Sequence, residues 1–246
     1  MIITDLKYYE ERKSYVSQYS GIDTPGVKLP GNDLPLGWFE NYTVQDFDYQ
    51  FNNWGFRGPE YDQYVDQKVN ICLGDSFTVN LGGPVEHGWV YKLDKLIDFP
   101  CINLGMDGAG NDAIKFVYEK AIKVFDVQNI FVMYSYIHRR LLDGEFTHFG
   151  NTRFKRAPYH TDEENFEYFE QHRIPNAYEV FLPKWCWGEK ELKYIEKISD
   201  FDYPDSTNLA RWVNRDRHHA CMELNIRYAE HLFNLSEGSQ LARPNT

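Results

Sequence analysis

The sequence predicts an α/β fold, a three-layer α/β/α sandwich around a central parallel sheet. Three apolar runs have the length of strands, residues 68–73, 101–104 and 129–134, and the first two end in turns that contain glycine. Stretches with the apolar spacing of helices lie between these runs. Strands that alternate with helices in this way are typical of a parallel sheet covered by helices on both faces. The loops at the carboxyl ends of such strands form the ligand crevice.

The chain divides into three parts. Residues 1–66 carry many turn signals and short aromatic stretches, which predicts an N-terminal extension of strands and loops packed on the core. Residues 67–236 form the predicted α/β domain, and residues 237–246 a flexible tail. Within the domain, the stretch from about 144 to 188 breaks the strand–helix rhythm with glycine, histidine and aromatic residues. We interpret it as an insertion that could cover the crevice.

The predicted helices follow the first two strands and return near the C-terminus. Asn111 and Asp112 are interpreted as the N-cap of the second helix. In chain order the helical patterns cover 86–97, about 112–125, 190–198 and 220–235.

The charge of the chain limits its partners. With 26 Lys plus Arg against 37 Asp plus Glu, the formal net charge is −11, which disfavours nucleic acid and anionic membrane surfaces. The basic pair Arg139-Arg140 is interpreted as solvated surface charge or as charge at the C-terminus of a helix. The first residues lack the basic and continuous apolar segments of a secretory signal, and no apolar stretch is long enough to span a membrane. We therefore expect a cytoplasmic protein with no membrane insertion. The sequence carries no indication of the oligomeric state.

No metal or cofactor is predicted. The four cysteines form no C-x-x-C pair, which favours reduced thiols. The spacing of His218, His219, Cys221 and His231 matches no common zinc pattern. Chemistry is therefore expected from side chains and water alone.

Three separated segments could carry that chemistry. Ser76 follows a predicted buried strand in a sharp turn, which suits a nucleophile with an exposed hydroxyl and a free backbone N–H. A serine hydroxyl needs a base, and the stretch 216–219 holds Asp216 and His219 three positions apart. The Gly-rich turn after the second strand can bring further backbone N–H groups to the same point.

These segments resemble the conserved blocks of one family, the SGNH or GDSL hydrolases. Leu73-Gly74-Asp75-Ser76 resembles the first block, the stretch 103–108 the second, and Asp216-x-x-His219 the last. The stretch 53–60, N-W-G-F-R-G-P-E, is similar to the N-G-F-R-G-x-E segment that precedes the nucleophile strand in one branch of the family. The resemblance covers residues 53–135 and 214–233. It implies a flavodoxin-like fold and a serine esterase.

The resemblance also implies roles for these residues. Ser76 would attack an acyl carbonyl, His219 would take its proton, and Asp216 would hold the imidazole, while His218 could replace His219 as the base. The N–H groups of Ser76 and Gly108 would form part of the oxyanion hole.

The third donor of the hole is where the sequence departs from the family. The expected G-x-N-D block reads Tyr134-Ser-Tyr-Ile-His-Arg139 and contains no Asn. His138 could donate in its place, or the hole could rest on two backbone donors.

Four residues are candidates for substrate binding: Asp75, Arg57, Trp185 and Trp187. Arg57 could bind an anionic group, or it could fix loop carbonyls as a structural residue. The two tryptophans could stack on a sugar ring or cover an acyl chain, or they could form a small satellite core. Aromatic residues make up 17% of the chain, which is compatible with either role.

The sequence therefore favours a carboxylic ester hydrolase. It would remove a small acyl group, such as acetyl, from a hydroxyl of a small-molecule or glycan ester substrate. One alternative is an acyltransferase on the same fold. Another is a binding or structural module with weak catalysis, which the missing Asn of the third block supports.

Overall fold

The computed structural model of the protein describes residues 16–17, 48–142, 145–148, 160–204 and 219–241. We number the strands and helices in chain order. The strands are β1 Val16–Ser17, β2 Tyr49–Gln50, β3 Lys68–Gly74, β4 Cys101–Gly105, β5 Asp126–Tyr134, β6 Arg139–Leu142, β7 Glu145–His148 and β8 Tyr178–Phe181.

The helices surround the sheet strands. In chain order they are α1 Ser76–Val79, α2 Trp89–Asp94, α3 Asn111–Ala121, α4 Asp162–His172, α5 Glu189–Ile198 and α6 Met222–Leu241, with single 3₁₀ turns at Asp62–Tyr64, Val85–His87 and Lys184–Cys186. Within the described ranges, none of the helices combines the length and the apolar composition that crossing a bilayer requires.

The central sheet has the strand order β4-β3-β5-β8, and all three of its pairings are parallel. Leu73 of β3 is in register with Leu104 of β4 and Val132 of β5. At the outer pairing, Tyr134 of β5 is in register with Phe181 of β8. The carboxyl ends of the strands therefore lie along one edge. All three predicted strands belong to this sheet, and the predicted α/β fold with a central parallel sheet is confirmed.

The helices lie on both faces of the sheet. The chain crosses from β3 to β4 in one direction and from β4 to β5 in the other, so right-handed crossovers place α2 and α3 on opposite faces. In agreement, α2 packs against α6, and α3 packs against α4. The change of direction occurs beside β3, which makes its carboxyl end the expected place for a ligand.

Burial on both faces explains the composition of the sheet strands. Val69, Ile71, Cys72 and Leu73 of β3 are all buried, as expected for a parallel strand covered by helices on both sides. Before β3, Tyr49 packs in a smaller cluster with Val79 and Leu81, and its hydroxyl accepts a hydrogen bond of 2.6 Å from the N–H of Gly82.

The stretch interpreted as an insertion contains part of the core. Its residues 178–181 form β8, the edge strand of the sheet, and its residues 162–172 form α4. The Y-E-V-F sequence of β8 is short and carries a charge, so it lacks the continuous apolar run that identified the other strands. Glu179 is accommodated because it accepts a hydrogen bond from the hydroxyl of Tyr134 and pairs with Arg173.

The turn after β3 leaves no space for a side chain at Gly74. A Cβ there would lie 2.0 Å from Oγ1 of Thr78 and 2.9 Å from the carbonyl oxygen of Met133. We expect Gly74→Ala to lower the free energy of unfolding by about 1–3 kcal/mol, because the core must shift to admit the methyl group. Thermal and urea unfolding measure the change.

Gly238→Ala is the matched control for this substitution. Gly238 lies within α6 and a Cβ there meets nothing within 4 Å, so the same change should stabilise the helix by about 0.5–1 kcal/mol. Equal effects of the two substitutions would show that steric exclusion at Gly74 is not what limits the turn.

Candidate active site

The turn Gly74-Asp75-Ser76 connects β3 to the short helix α1. Asp75 is the N-cap of α1, and its side chain accepts a hydrogen bond of 3.0 Å from the N–H of Phe77. Such a cap fixes the first turn of a helix. Ser76 is the first helical residue, at the carboxyl edge of the sheet.

Ser76 and His219 lie in contact although 143 positions separate them in the sequence. The Nε2 of His219 is 2.7 Å from the Oγ of Ser76. Both side chains are buried, and the ring of Phe77 packs 4.5 Å from the imidazole, centroid to centroid. A hydroxyl and an imidazole at this distance can transfer a proton. Asp216 and His218 lie outside the described residues.

The turn after β4 approaches α1 closely. Asn103 donates from its side chain to the carbonyl of Thr78 at 3.0 Å and accepts from the N–H of Gly105 at 2.9 Å. Gly108 has a φ of 80°, in the left-handed region that favours glycine. In the described part of the chain, neither the N–H of Ser76 nor that of Gly108 donates to a protein acceptor.

The loop after β5 is fixed to α3 and to α5. Asn111 is the first residue of α3, and the N-cap is Gly110, so the interpretation of Asn111 as the N-cap was wrong. Its side chain instead accepts from the N–H of Ser135 at 2.8 Å and donates to the carbonyl of the same residue at 3.0 Å. His138 is buried, with its Nδ1 3.0 Å from Oε1 of Glu191 in α5.

In the basic pair after this loop, Arg140 is buried and Arg139 is half-buried, so the pair is not the solvated surface charge expected from the sequence. Arg139 forms an ion pair of 3.3 Å with Asp75. Arg140 donates to Asn165 at 2.7 Å, and its guanidinium lies 3.4 Å from the centroid of the Tyr168 ring. These partners inside the fold gave no signal in the local sequence, where two adjacent arginines resemble surface charge.

Arg57 is a buried side chain that supports the loop after α1. Its guanidinium donates to the carbonyl groups of Val79, Asn80 and Gly83, at 3.1, 2.6 and 2.9 Å. It also lies 4.4 Å from the centroid of the Tyr49 ring. Two roles were considered for Arg57, and these contacts agree with the structural one, in which it fixes loop carbonyls. The carboxylate of Asp75 is likewise fully buried among protein donors.

The two tryptophans lie on the segment after β8. Both are half-buried and pack against the hydrophobic core. The indole N–H of Trp187 donates to the carbonyl of Leu182 at 2.8 Å, and its ring centroid is 5.8 Å from that of Tyr136. Trp187 thus lies beside the loop that follows β5, at the carboxyl edge of the sheet, and keeps part of its surface exposed.

The sequence did not reveal a buried side-chain amide, that of Asn225, which links the residue after α1 to the residue after His219. The side-chain NH₂ of Asn225 donates to Oδ1 of Asn80 and to the carbonyl of Ala220, both at 3.1 Å. Asn80 follows the helix that carries Ser76, and Ala220 follows His219. No motif marks Asn225, because its position in α6 is recognisable only from these contacts.

No metal centre is formed by the described residues. In these parts of the chain, no three His, Cys, Asp or Glu side chains converge as ligands would.

Among comparisons with known proteins, the one with solved structures found similar chains. No family model matches the sequence, and no curated protein matches it. Similar solved structures include a lipase/acylhydrolase from Enterococcus faecalis, which is 14% identical with a TM-score of 0.44, over 70% of this chain and 97% of that one. A lipolytic protein of the G-D-S-L family from Desulfitobacterium hafniense is 13% identical with a TM-score of 0.41, over 70% and 99% of the two chains. Est24, a carbohydrate acetylesterase from Sinorhizobium meliloti, is 15% identical with a TM-score of 0.41, over 70% and 100%.

The contacts of Asn225 predict a loss of stability on substitution. Asn225→Leu should lower the free energy of unfolding by about 1–3 kcal/mol, because two buried acceptors lose their donor. Asn234→Leu is the matched control, since Asn234 is an exposed residue of the same helix and the change there should stay within about 0.5 kcal/mol. Urea unfolding compares the two, and equal losses would refute the structural role of Asn225.

Proposed function

We propose that the protein is a serine ester hydrolase that removes a small acyl group from a hydroxyl of a larger molecule. The observation that carries the proposal is the 2.7 Å distance between Ser76 Oγ and His219 Nε2 at the carboxyl edge of the parallel sheet. A serine hydroxyl becomes a nucleophile when a base removes its proton. The order of the motifs along the sequence supports the same chemistry.

In the proposed reaction, Ser76 Oγ attacks the acyl carbonyl while His219 Nε2 takes its proton. The carbonyl oxygen becomes an oxyanion in a tetrahedral intermediate. This intermediate collapses as the ester oxygen takes the proton from His219 and leaves as an alcohol. Water then attacks the acyl-enzyme, His219 accepts its proton, and the second collapse releases the carboxylic acid and restores Ser76. Asp216 is the proposed carboxylate that orients the imidazole.

The proposed oxyanion hole consists of two backbone donors, the N–H groups of Ser76 and Gly108. Both are without a protein acceptor in the described part of the chain, which supports their availability to an anion. The contact between His138 and Glu191 supports a structural role for that imidazole. A hole with one donor fewer costs about 10²–10³ in rate, so we expect a slow or specialised enzyme.

The burial of the reactive groups supports a small acyl group. Ser76 is 7% exposed and His219 2% exposed, which leaves little room for a long chain beside the nucleophile. The net charge of −11 favours a neutral substrate over an anionic one. The exposed part of Trp187 supports a glycan as the alcohol component, because a sugar ring can stack on an indole.

The same burial favours a second candidate function, transfer of the acyl group to an acceptor hydroxyl. A site that excludes water protects the acyl-enzyme from hydrolysis. Added alcohols distinguish the two functions, since a transferase forms a new ester in their presence and a hydrolase releases the acid.

Removal of either reactive side chain tests the proposal. Ser76→Ala and His219→Ala should each lower kcat for p-nitrophenyl acetate by on the order of 10⁴–10⁶. Only the Ser76→Ala variant should lose the mass increase that a fluorophosphonate leaves on the nucleophile, while His219→Ala should be labelled slowly. His160→Ala is the matched control, because His160 lies at the surface beside Glu164, and its activity should equal that of the wild type.

Two results would contradict the proposal. A folded wild-type protein that neither hydrolyses esters nor takes the label has no activated serine. Labelling that persists in Ser76→Ala identifies a different nucleophile.

A further inference from the structure

The turn that holds Ser76 rests on a buried carboxylate, that of Asp75. This side chain has no exposed surface. Its oxygens accept hydrogen bonds from the N–H of Phe77 at 3.0 Å, from the hydroxyl of Ser135 at 2.7 Å and from Nη1 of Arg139 at 3.3 Å. One of these donors belongs to the nucleophile helix, and the other two come from the segment after β5.

Arg139 connects the turns that follow three neighbouring strands. Its Nη1 lies near Asp75 after β3, the carbonyl of Ala109 after β4 at 3.4 Å, and the hydroxyl of Ser135 after β5 at 3.2 Å. The guanidinium also lies 4.7 Å from the centroid of the Tyr136 ring. The turns that carry Ser76 and Gly108 are thus held to the same charged group.

We propose that Arg139 is a positioning residue, which keeps the carboxylate of Asp75 charged so that it fixes the turn at Ser76. This inference rests on the proposed function. It also gives a role to the segment that replaces the family's third block. In that block the family is expected to have an Asn that donates to the oxyanion. Here Ser135 and Arg139 of this segment donate instead to the carboxylate of Asp75, beside Ser76.

The charge on Asp75 depends on its neighbours, because burial disfavours the ionised form. Burial raises the pKa of the Asp75 carboxyl, while the charge of Arg139 and the hydrogen bonds from Ser135 and Phe77 lower it. The titratable groups that face Asp75 are Arg139, His219, Tyr136, Cys186 and Tyr228. Among these described groups, Arg139 is the permanent cation.

A protonated Asp75 would hold the turn less firmly. One of its oxygens would carry a proton and could no longer accept from both Ser135 and Arg139. The neutral carboxyl would also cease to stabilise the positive charge that His219 acquires when it takes the proton of Ser76.

The pH dependence of stability tests the charge without using catalysis. Arg139→Met removes the cation, so the pKa of Asp75 in the folded state should rise by about 1–3 units, the usual effect of one nearby opposite charge. Because burial already raises the folded-state pKa of Asp75 in the wild type, both proteins lose stability as pH rises above the unfolded value of about 3.9, and the variant continues to lose it up to its higher folded-state pKa. The gap in Tm between wild type and Arg139→Met should therefore be smallest near pH 4 and widen towards pH 8.

Three further variants separate charge from packing. Arg139→Lys keeps the cation and should retain the wild-type pH dependence of Tm. Ser135→Ala removes one donor to Asp75 and should show the same trend as Arg139→Met with a smaller amplitude. In the Asp75→Asn background the carboxylate is absent, so the gap in Tm between Asp75→Asn and the double variant Asp75→Asn with Arg139→Met should not change with pH.

The pH dependence of activity tests positioning. For Arg139→Met, kcat/KM for p-nitrophenyl acetate should fall by about 10²-fold at pH 7, the usual cost of a misplaced reacting group, through kcat and not KM. The acid limb of its profile should move to higher pH by about 1–3 units, in step with Asp75. Arg139→Lys should recover most of the lost activity.

The inference is overturned by either of two outcomes. The first is a gap in Tm between wild type and Arg139→Met that stays constant from pH 4 to pH 8, which means that Arg139 only fills space. If Arg139→Met does not fold, Ser135→Ala is used for the same measurement. A widening gap with unchanged kcat/KM means that the charge of Asp75 does not position Ser76. If the wild type hydrolyses no ester, the proposed function fails, whereas the Tm measurements still report on the charge of Asp75.

Discussion

The site depends on one constraint, the presence of a buried, hydrogen-bonded carboxyl group beneath a turn that has no spare volume. Gly74, the last residue of β3, has no room for a side chain, and the chain turns into α1 directly after it. In this turn Asp75 is buried inside the protein and Ser76 lies at the edge of the sheet. Buried charges are stable only when paired and hydrogen-bonded. Asp75 therefore requires donors from α1 and from the loop after β5, and this requirement ties the surrounding loops together.

The parallel sheet brings these loops to the same place. Register between β3, β4 and β5 aligns their carboxyl ends, so that residues separated in sequence by long crossover connections become neighbours. Asn103 and Asn225 then fix the turn after β4 and the segment after His219 to the nucleophile region. Rigid positioning of this kind is what the proposed proton transfer between Ser76 and His219 needs, because small errors in distance are costly.

Local patterns in the sequence predicted the elements whose signal is local. Continuous apolar runs identified β3, β4 and β5, and the Gly-Asp-Ser turn located Ser76. The pairing of Ser76 with His219 came from the order of motifs in a resemblance, since no local rule joins residues so far apart. β8, Arg139 and Asn225 could not be predicted, because a short charged strand, a basic pair and a helical asparagine acquire their roles only through distant partners.

The position of Arg57 alters how the boundary of the domain is understood. The sequence pattern begins the α/β domain at residue 67, yet Arg57 supplies the donors for three carbonyl groups in the loop after the nucleophile helix. Folding units are delimited by shared cores and contacts, not by where a repeating pattern starts. The segment around Arg57 is therefore an internal component of the folded unit, and a chain trimmed to its apparent first strand would lack the support of the loop after α1.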